Sequence, residues 1–290
     1  MNLIIINLIL YFINAEKIEY CVSGEQKRYI INSPPKLKNF RASLLKKFPV
    51  SVSIEKRQKE LKNKDIKDLE NLNISGSAQP NILQLTSLLN ILNTLSKKII
   101  FVDLRAESHF FISPTDNITL DCKKYDEDII NQEEIDTKDF TEPYHVVMTY
   151  NRKEKKVVKV EDVITEKKFI ERDFSDTVEY YRMPIKDHMA PDREILDKFI
   201  NFIEGKPKGT YWIHFHCNGG KGRTTYMMTI MDILINGKNS TLDEIIGRMY
   251  LLGGSDMSEF NDKHKNQHYK RYQILKGTYQ DIIKKKIKIN

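Results

Sequence analysis

The sequence predicts an α/β fold, a mostly parallel central sheet flanked by helices, and three observations carry that prediction. In the C-terminal half, strand-like and helix-like runs alternate: Val178–Ile185, Pro191–Ile200, Tyr211–Phe215 and Thr225–Ile235. A helical pattern over Asn81–Leu95 feeds a strand at Ile99–Asp103, repeating the helix-strand unit. A glycine-rich turn, His216 to Thr224, sits where a buried strand hands over to an apolar helix, the end of an open α/β sheet at which ligands bind. A chain of 290 residues with 40% hydrophobic content is enough for one domain with an elaboration.

The elements follow in order. Residues 1–15 carry no charge and contain an apolar run from Leu3 to Ile13, the length of a secretory h-region and short for a membrane span. Ile13-Asn14-Ala15 is an acceptable cleavage site, so residues 1–15 read as a signal peptide, 16–290 as the mature domain, and the protein as periplasmic or secreted. Cleavage leaves the formal charge at +7 and no stable membrane insertion is expected afterwards. Residues 16–70 are charged and irregular, with Ser33-Pro34-Pro35 marking an extended stretch. Two alternating runs, Tyr144–Tyr150 and Val157–Val163, are separated by a charged connection and predict a hairpin. Helices are predicted at Thr241–Leu252 and Met257–Lys284.

The turn His216-Cys217-Asn218-Gly219-Gly220-Lys221-Gly222-Arg223-Thr224 places a thiol and a guanidinium at the two ends of a phosphate-sized cradle. A helix N-terminus offers free N–H groups and the positive end of its dipole. Beside cations such a setting makes a cysteine a thiolate nucleophile, which assigns that role to Cys217. Glycines 219, 220 and 222 let the backbone approach phosphoryl oxygens, Arg223 can grip two of them bidentately, and Thr224 can donate to the sulfur. Asn218 and Lys221 complete the set of loop residues expected at the substrate. Phosphoryl transfer to sulfur leaves an alkoxide that must be protonated as the bond breaks. Asp187 is the candidate acid, in a loop after the strand-like Val178–Ile185 and before a helix opened by Pro191.

His-Cys-x-x-Gly-x-Gly-Arg-Thr resembles the signature loop of the cysteine-dependent phosphatases. Four further blocks narrow the resemblance to the protein-tyrosine-phosphatase-like inositol polyphosphatases, the cysteine phytases: Asn39-Phe40-Arg41, Ser75-Gly76-Ser77-Ala78-Gln79, Asp103-Leu104-Arg105-Ala106-Glu107-Ser108-His109, and Asp187-His188-Met189-Ala190-Pro191. The resemblance runs over roughly residues 36–280. It implies a protein-tyrosine-phosphatase-like fold with a small β-rich insertion at about 112–171. It also implies hydrolysis of phosphate from inositol hexakisphosphate and lower inositol phosphates through a phosphocysteine. Arg41, His188 and His109 are implied as substrate contacts, as is one of Lys270 and Arg271 on the C-terminal helix. Lys221 departs from the phytase pattern, where an apolar residue is usual, and is similar to the lysine of tensin-like phosphoinositide phosphatases; a cation there favours a substrate with several phosphates.

A net charge of +7 suits a polyanionic small molecule, an anionic membrane or nucleic acid. Nucleic acid is excluded as the expected partner, because the chain carries no helix-turn-helix, zinc-finger or RNA-binding aromatic motif. No cofactor and no metal is expected: cysteines 21, 122 and 217 are scattered and the histidines form no ligand spacing. Two rivals share the sequence features, a phosphoinositide-lipid or dual-specificity protein phosphatase with the same chemistry, and a silent phosphate-binding protein. The second is disfavoured by the presence of Cys217, Asp187, Arg223 and Thr224 together.

Overall fold

The computed structural model describes residues 29–32, 36–44, 67–96, 98–120, 129–149, 154–207, 209–259 and 265–284. The leader assigned to residues 1–15, Cys21 and Cys122 lie outside them. The chain divides into two compact units: one formed by Met1–Pro35, Asn81–Leu83 and Glu107–Phe169, the other by Lys36–Pro80, Gln84–Ala106 and Ile170–Asn290.

The larger unit holds a five-stranded sheet of β2 (Arg41–Ala42), β3 (Ile74–Ala78), β10 (Tyr211–Cys217), β4 (Lys98–Arg105) and β9 (Val178–Ile185), in that spatial order. The pairs β3–β10, β10–β4 and β4–β9 are parallel, and only the short edge strand β2 runs antiparallel. This is the mostly parallel sheet the sequence predicts. Among the described residues six helices belong wholly or largely to this unit: α1 (Lys67–Glu70), α2 (Ile82–Asn93), α5 (Arg193–Glu204), α6 (Gly222–Asn236), α7 (Leu242–Leu251) and α8 (Lys265–Ile283). Helix α6 packs on β3 and β10 and against α7 and α8. Being enclosed on all sides, it can be apolar all round, and Tyr226, Met227, Met228, Ile230, Met231 and Ile233 are buried. A buried ion pair between Asp232 and Arg248 clasps α6 to α7, with Asn236 and Ser240 completing the hydrogen bonds. Helix α7 starts on a capping box in which Thr241 and Glu244 satisfy each other's backbone N–H groups.

The smaller unit carries a second sheet, ordered β5 (His109–Phe111), β6 (Asn117–Leu120), β1 (Tyr29–Asn32), β7 (Tyr144–Met148) and β8 (Lys155–Lys159), with α3 (Ile129–Thr137) and the start of α4 (Glu166–Asp173). The hairpin read from the sequence is β7–β8, with Val146 opposite Val157. Its apolar core gathers Ile31, Phe110, Ile112, Ile118, Leu120, Phe140, Val147 and Val158. This unit is wider than the β-rich stretch expected at about 112–171. It begins at Glu107 and takes its middle strand, β1, from the N-terminal segment read as irregular.

Candidate active site

β10 places Cys217 at its C-terminal end, and α6 begins five residues later at Gly222. Cys217 is 4% exposed, and Thr224 Oγ1 donates to its Sγ at 3.2 Å. Lys221 is the N-cap residue of α6 but its side chain makes no capping bond and is exposed, so the cap is left open on the loop side. The loop turns at Gly220, whose φ is +66°; a Cβ there would approach Ser77 O to 2.7 Å. Only glycine meets both demands.

The loop is fixed to the edge of the sheet by polar contacts. Gln79 N donates to Asn218 O at 3.3 Å and Asn39 Nδ2 to Gly219 O at 2.8 Å. Arg41 is buried and donates to Asn39 O at 2.9 Å, Gly220 O at 2.6 Å and Thr225 Oγ1 at 2.9 Å. Burial pulls its pKa down to about 10, opposed by the charge of Cys217. Arg41, expected at the substrate, places three hydrogen bonds on protein acceptors: it is a strut under the loop and a source of positive potential for Cys217.

Arg223 is buried on the first turn of α6. Its Nη1 donates to Ile185 O at 2.9 Å, and its Nη2 lies 3.2 Å from Asp187 Oδ1. The structure thus brings the loop arginine and the candidate acid into contact. Asp187 is half-exposed, as a group that must meet a substrate has to be. His188 follows it at φ +61°, donating its backbone N–H to Asp187 Oδ1 at 3.0 Å, with its exposed ring Nε2 3.6 Å from Oδ2.

Of the two basic residues left open on the C-terminal helix, Arg271 faces the site and Lys270 faces solvent. Arg271 is 3% exposed; its Nε donates to Met189 O at 2.9 Å, and its Nη1 lies 2.8 Å from where a Cβ on Gly222 would stand. Its pKa is lowered, first by burial and then by repulsion from Arg223, with Cys217 and Asp187 pulling the other way. Lys270 is one step round the helix and exposed, so Arg271 is the one set against the loop.

His109, implied by the resemblance as a substrate contact, is instead closed off from solvent. It is wholly buried in the smaller unit, with Nδ1 2.9 Å from Glu107 O and Nε2 3.4 Å from Glu166 Oε2, while Glu133 Oε1 accepts its backbone N–H at 3.0 Å. A ring held on both nitrogens braces that unit. Asp103 is also structural: it accepts from Arg105 N and Tyr180 OH, both at 2.9 Å, and from the Arg182 guanidinium, and it lies 3.5 Å from His216 Nε2. Sequence reasoning missed Asn39 and Thr225 as loop supports. Asn39 stands in the Asn39-Phe40-Arg41 block but carried no role of its own there, although an asparagine suits its left-handed φ of 52°, and Thr225 reads as ordinary helix.

Comparison with known proteins bears on the fold and on the family resemblance. A family model for PTP-like phytases, described as inositol hexakisphosphate, matches residues 115–235. A 70-residue stretch, 24% of this chain and 15% of the relative, is 36% identical to the effector protein hopD2 of Pseudomonas syringae pv. tomato. The tandemly repeated protein tyrosine phosphatase like phytase of Mitsuokella multacida superposes with a TM-score of 0.75 at 25% identity, over 89% of this chain and 46% of that one. The PTP-like myo-inositol phosphatase of the same organism, in complex with myo-inositol-(1,3,4,5)-tetrakisphosphate, gives 0.72 at 24% identity with the same coverage. A PTP-like phytase from Bdellovibrio bacteriovorus gives 0.66 at 22%, covering 89% of both chains. The chain spans about half the length of the Mitsuokella proteins. Its fold is that of the PTP-like phytases, and the resemblance read from its motifs is borne out.

Proposed function

We propose that this chain is a cysteine-dependent phosphatase that removes phosphate from myo-inositol hexakisphosphate and lower inositol phosphates. The observation that carries the reading is the single constellation of Cys217, Thr224, Arg223 and Asp187, joined by the contacts Thr224 Oγ1 to Sγ at 3.2 Å and Arg223 Nη2 to Asp187 at 3.2 Å. Cys217 attacks phosphorus in line while Asp187 protonates the departing oxygen, and a phosphocysteine forms. Asp187, now a base, then activates the water that releases phosphate. Arg223 and the loop N–H groups stabilise the equatorial oxygens in both steps. Arg223, Arg271 and Arg41 bring three guanidinium groups to the loop and its flank, which favours a polyanion over an isolated phosphotyrosine.

Exposed Lys221 favours one second reading, a phosphoinositide head group as substrate. The deciding assay compares inositol hexakisphosphate, phosphatidylinositol phosphates and a phosphotyrosine peptide. Inositol hexakisphosphate is expected to be turned over fastest, and Cys217→Ser to abolish turnover while retaining binding. Equal activity on the phosphotyrosine peptide would overturn the polyphosphate reading. We also propose export, on the leader-like composition of residues 1–15; N-terminal sequencing of the protein from its native host tests it, with Glu16 as the expected first residue.

A further inference from the structure

The acid loop connects β9 to α5. Lys186, Asp187, His188 and Met189 are all exposed, and the local turn rests on Met189 N donating to Lys186 O at 3.0 Å. His188 at φ +61° puts a side chain in a conformation that glycine would take without strain. Two guanidinium groups reach the loop from outside it. Arg223 takes its first half, through Ile185 O and Asp187; Arg271 takes its second half, through Met189 O at 2.9 Å. The same Arg271 side chain is pressed against the signature loop, because only the missing Cβ of Gly222 leaves room for Nη1. It is 3% exposed, its Nη2 has no hydrogen-bond partner among the described residues, and its helix is strapped to α5 by Arg193 Nη1 and Asp281 at 3.3 Å.

We propose that Arg271 is the positioning residue of the acid loop: wedged against Gly222 and bonded to Met189 O, it fixes the reach from Asp187 to the phosphate cradle. The inference rests on the phosphatase reading above and goes beyond phosphate binding by this arginine. A guanidinium suits the task because its planar fork can present Nε to a carbonyl and Nη1 to the loop at once, which a flexible ammonium cannot. Loss of the tie removes the hold of Arg271 on the second half of the loop, next to the left-handed His188.

Acid positioning and phosphate binding separate by leaving group. Every monoester needs its phosphate held, whereas only a poor leaving group needs the proton. Turnover is measured on p-nitrophenyl phosphate, whose phenolate departs unaided, and on β-glycerophosphate, whose alkoxide does not. Inhibition by inorganic phosphate reports anion binding separately. Arg271→Met is expected to lose about 10²-fold in kcat/KM, which reports only the step that forms the phosphocysteine, on the alkyl ester and less than about tenfold on the aryl ester. Arg271→Lys, which keeps a charge and a donor, recovers part of the alkyl loss; should Arg271→Met fail to fold, Arg271→Lys carries the comparison with smaller but still unequal losses. In an Asp187→Asn background the extra alkyl-specific loss disappears, because there is no acid left to place. Equal losses on the two esters, or an undiminished loss on top of Asp187→Asn, would overturn the proposal. If Asp187→Asn itself costs both esters equally, the acid assignment fails rather than the role of Arg271.

Discussion

Replacing Arg41 by Met separates its structural from its electrostatic work, and the two are predicted to respond differently. Burial lowers the Arg41 pKa from the ordinary guanidinium value to about 10. That fall is roughly 3 kcal/mol against the charged form. Both values lie well above neutrality, so at pH 7 folded and unfolded chains carry the same proton and the penalty is constant; it is relieved only as pH rises through about 10. Against it stand the hydrogen bonds to Asn39 O, Gly220 O and Thr225 Oγ1. Thr225 Oγ1 keeps Ser255 N as a donor, so the main orphan after substitution is Gly220 O. An orphaned buried acceptor costs about 1–3 kcal/mol. Methionine removes the charge and the bonds together at similar length. The two contributions therefore nearly cancel, and urea denaturation is expected to show a change within about 2 kcal/mol. Catalysis has no such compensation: the strut under Gly220 and a cation acting on Cys217 are both gone, and kcat is expected to fall about 10²-fold. A loss of about 5 kcal/mol or more with kcat intact would refute the reasoning and make Arg41 a stability element. A rise in KM alone would restore it as a substrate contact.

Three other substitutions test neighbouring parts of the argument. Gly220→Ala forces a side chain into φ +66° and into the Ser77–Ala78 backbone, whereas a Cβ on Gly219 meets nothing within 4 Å. Steady-state kinetics should show about 10²-fold loss in kcat for the first and less than about threefold for the second. Thr224→Val removes the hydroxyl donor to Cys217 Sγ; kcat is expected to drop about tenfold, the worth of one hydrogen bond to a charged acceptor, with the melting temperature little changed. Asp232→Ala strands the buried Arg248 guanidinium and should cost about 3–5 kcal/mol by denaturant titration. Asp232→Ala with Arg248→Met should recover more than half of that, and a double variant no better than the single would show that the clasp stabilises α6 against α7 on balance.

What was legible in the sequence divides by distance along the chain. Strand β9 was readable to the residue because Val178–Ile185 is bounded by a turn before and the acid loop after. The signature loop, its arginine and its acid were readable because their chemistry sits in two short segments. Helix α6 was predicted from Thr225 and begins at Gly222, since glycine reads as loop although here it opens the helix beneath the phosphate cradle. The C-terminal helix was predicted from Met257, but 257–259 are not helical and α8 is described from Lys265. Strand β1 was missed because its partners, Asn117–Leu120 and Met148, lie more than eighty residues away, and no local periodicity reports a pairing of that range. The short strand β3 was read as a motif of small residues rather than as the neighbour of β10. Composition could not separate Lys270 from Arg271. Only the helical phase, set by packing of α8 on α6, decides which of two adjacent cations is buried.

The three arginines differ in what their hydrogen bonds do to their charge. Arg41 and Arg271 donate to neutral acceptors, carbonyl oxygens of Asn39, Gly220 and Met189 and one threonine hydroxyl. Such acceptors orient a guanidinium without neutralising it. Arg223 alone faces a carboxylate, and that carboxylate is half-exposed on the loop whose reach Arg271 fixes. Burial of two such cations is unfavourable in the empty protein, as the lowered pKa of each records. The cost is offset when a dianionic phosphate enters, because field lines that no carboxylate terminates end on the ligand instead. Buried charges are also screened little by salt. A site built in this way holds its selectivity for multiply charged phosphate in the donors' neutral partners, so replacing a carbonyl-bonded arginine removes more of the field at phosphorus than the same change at a surface lysine such as Lys270.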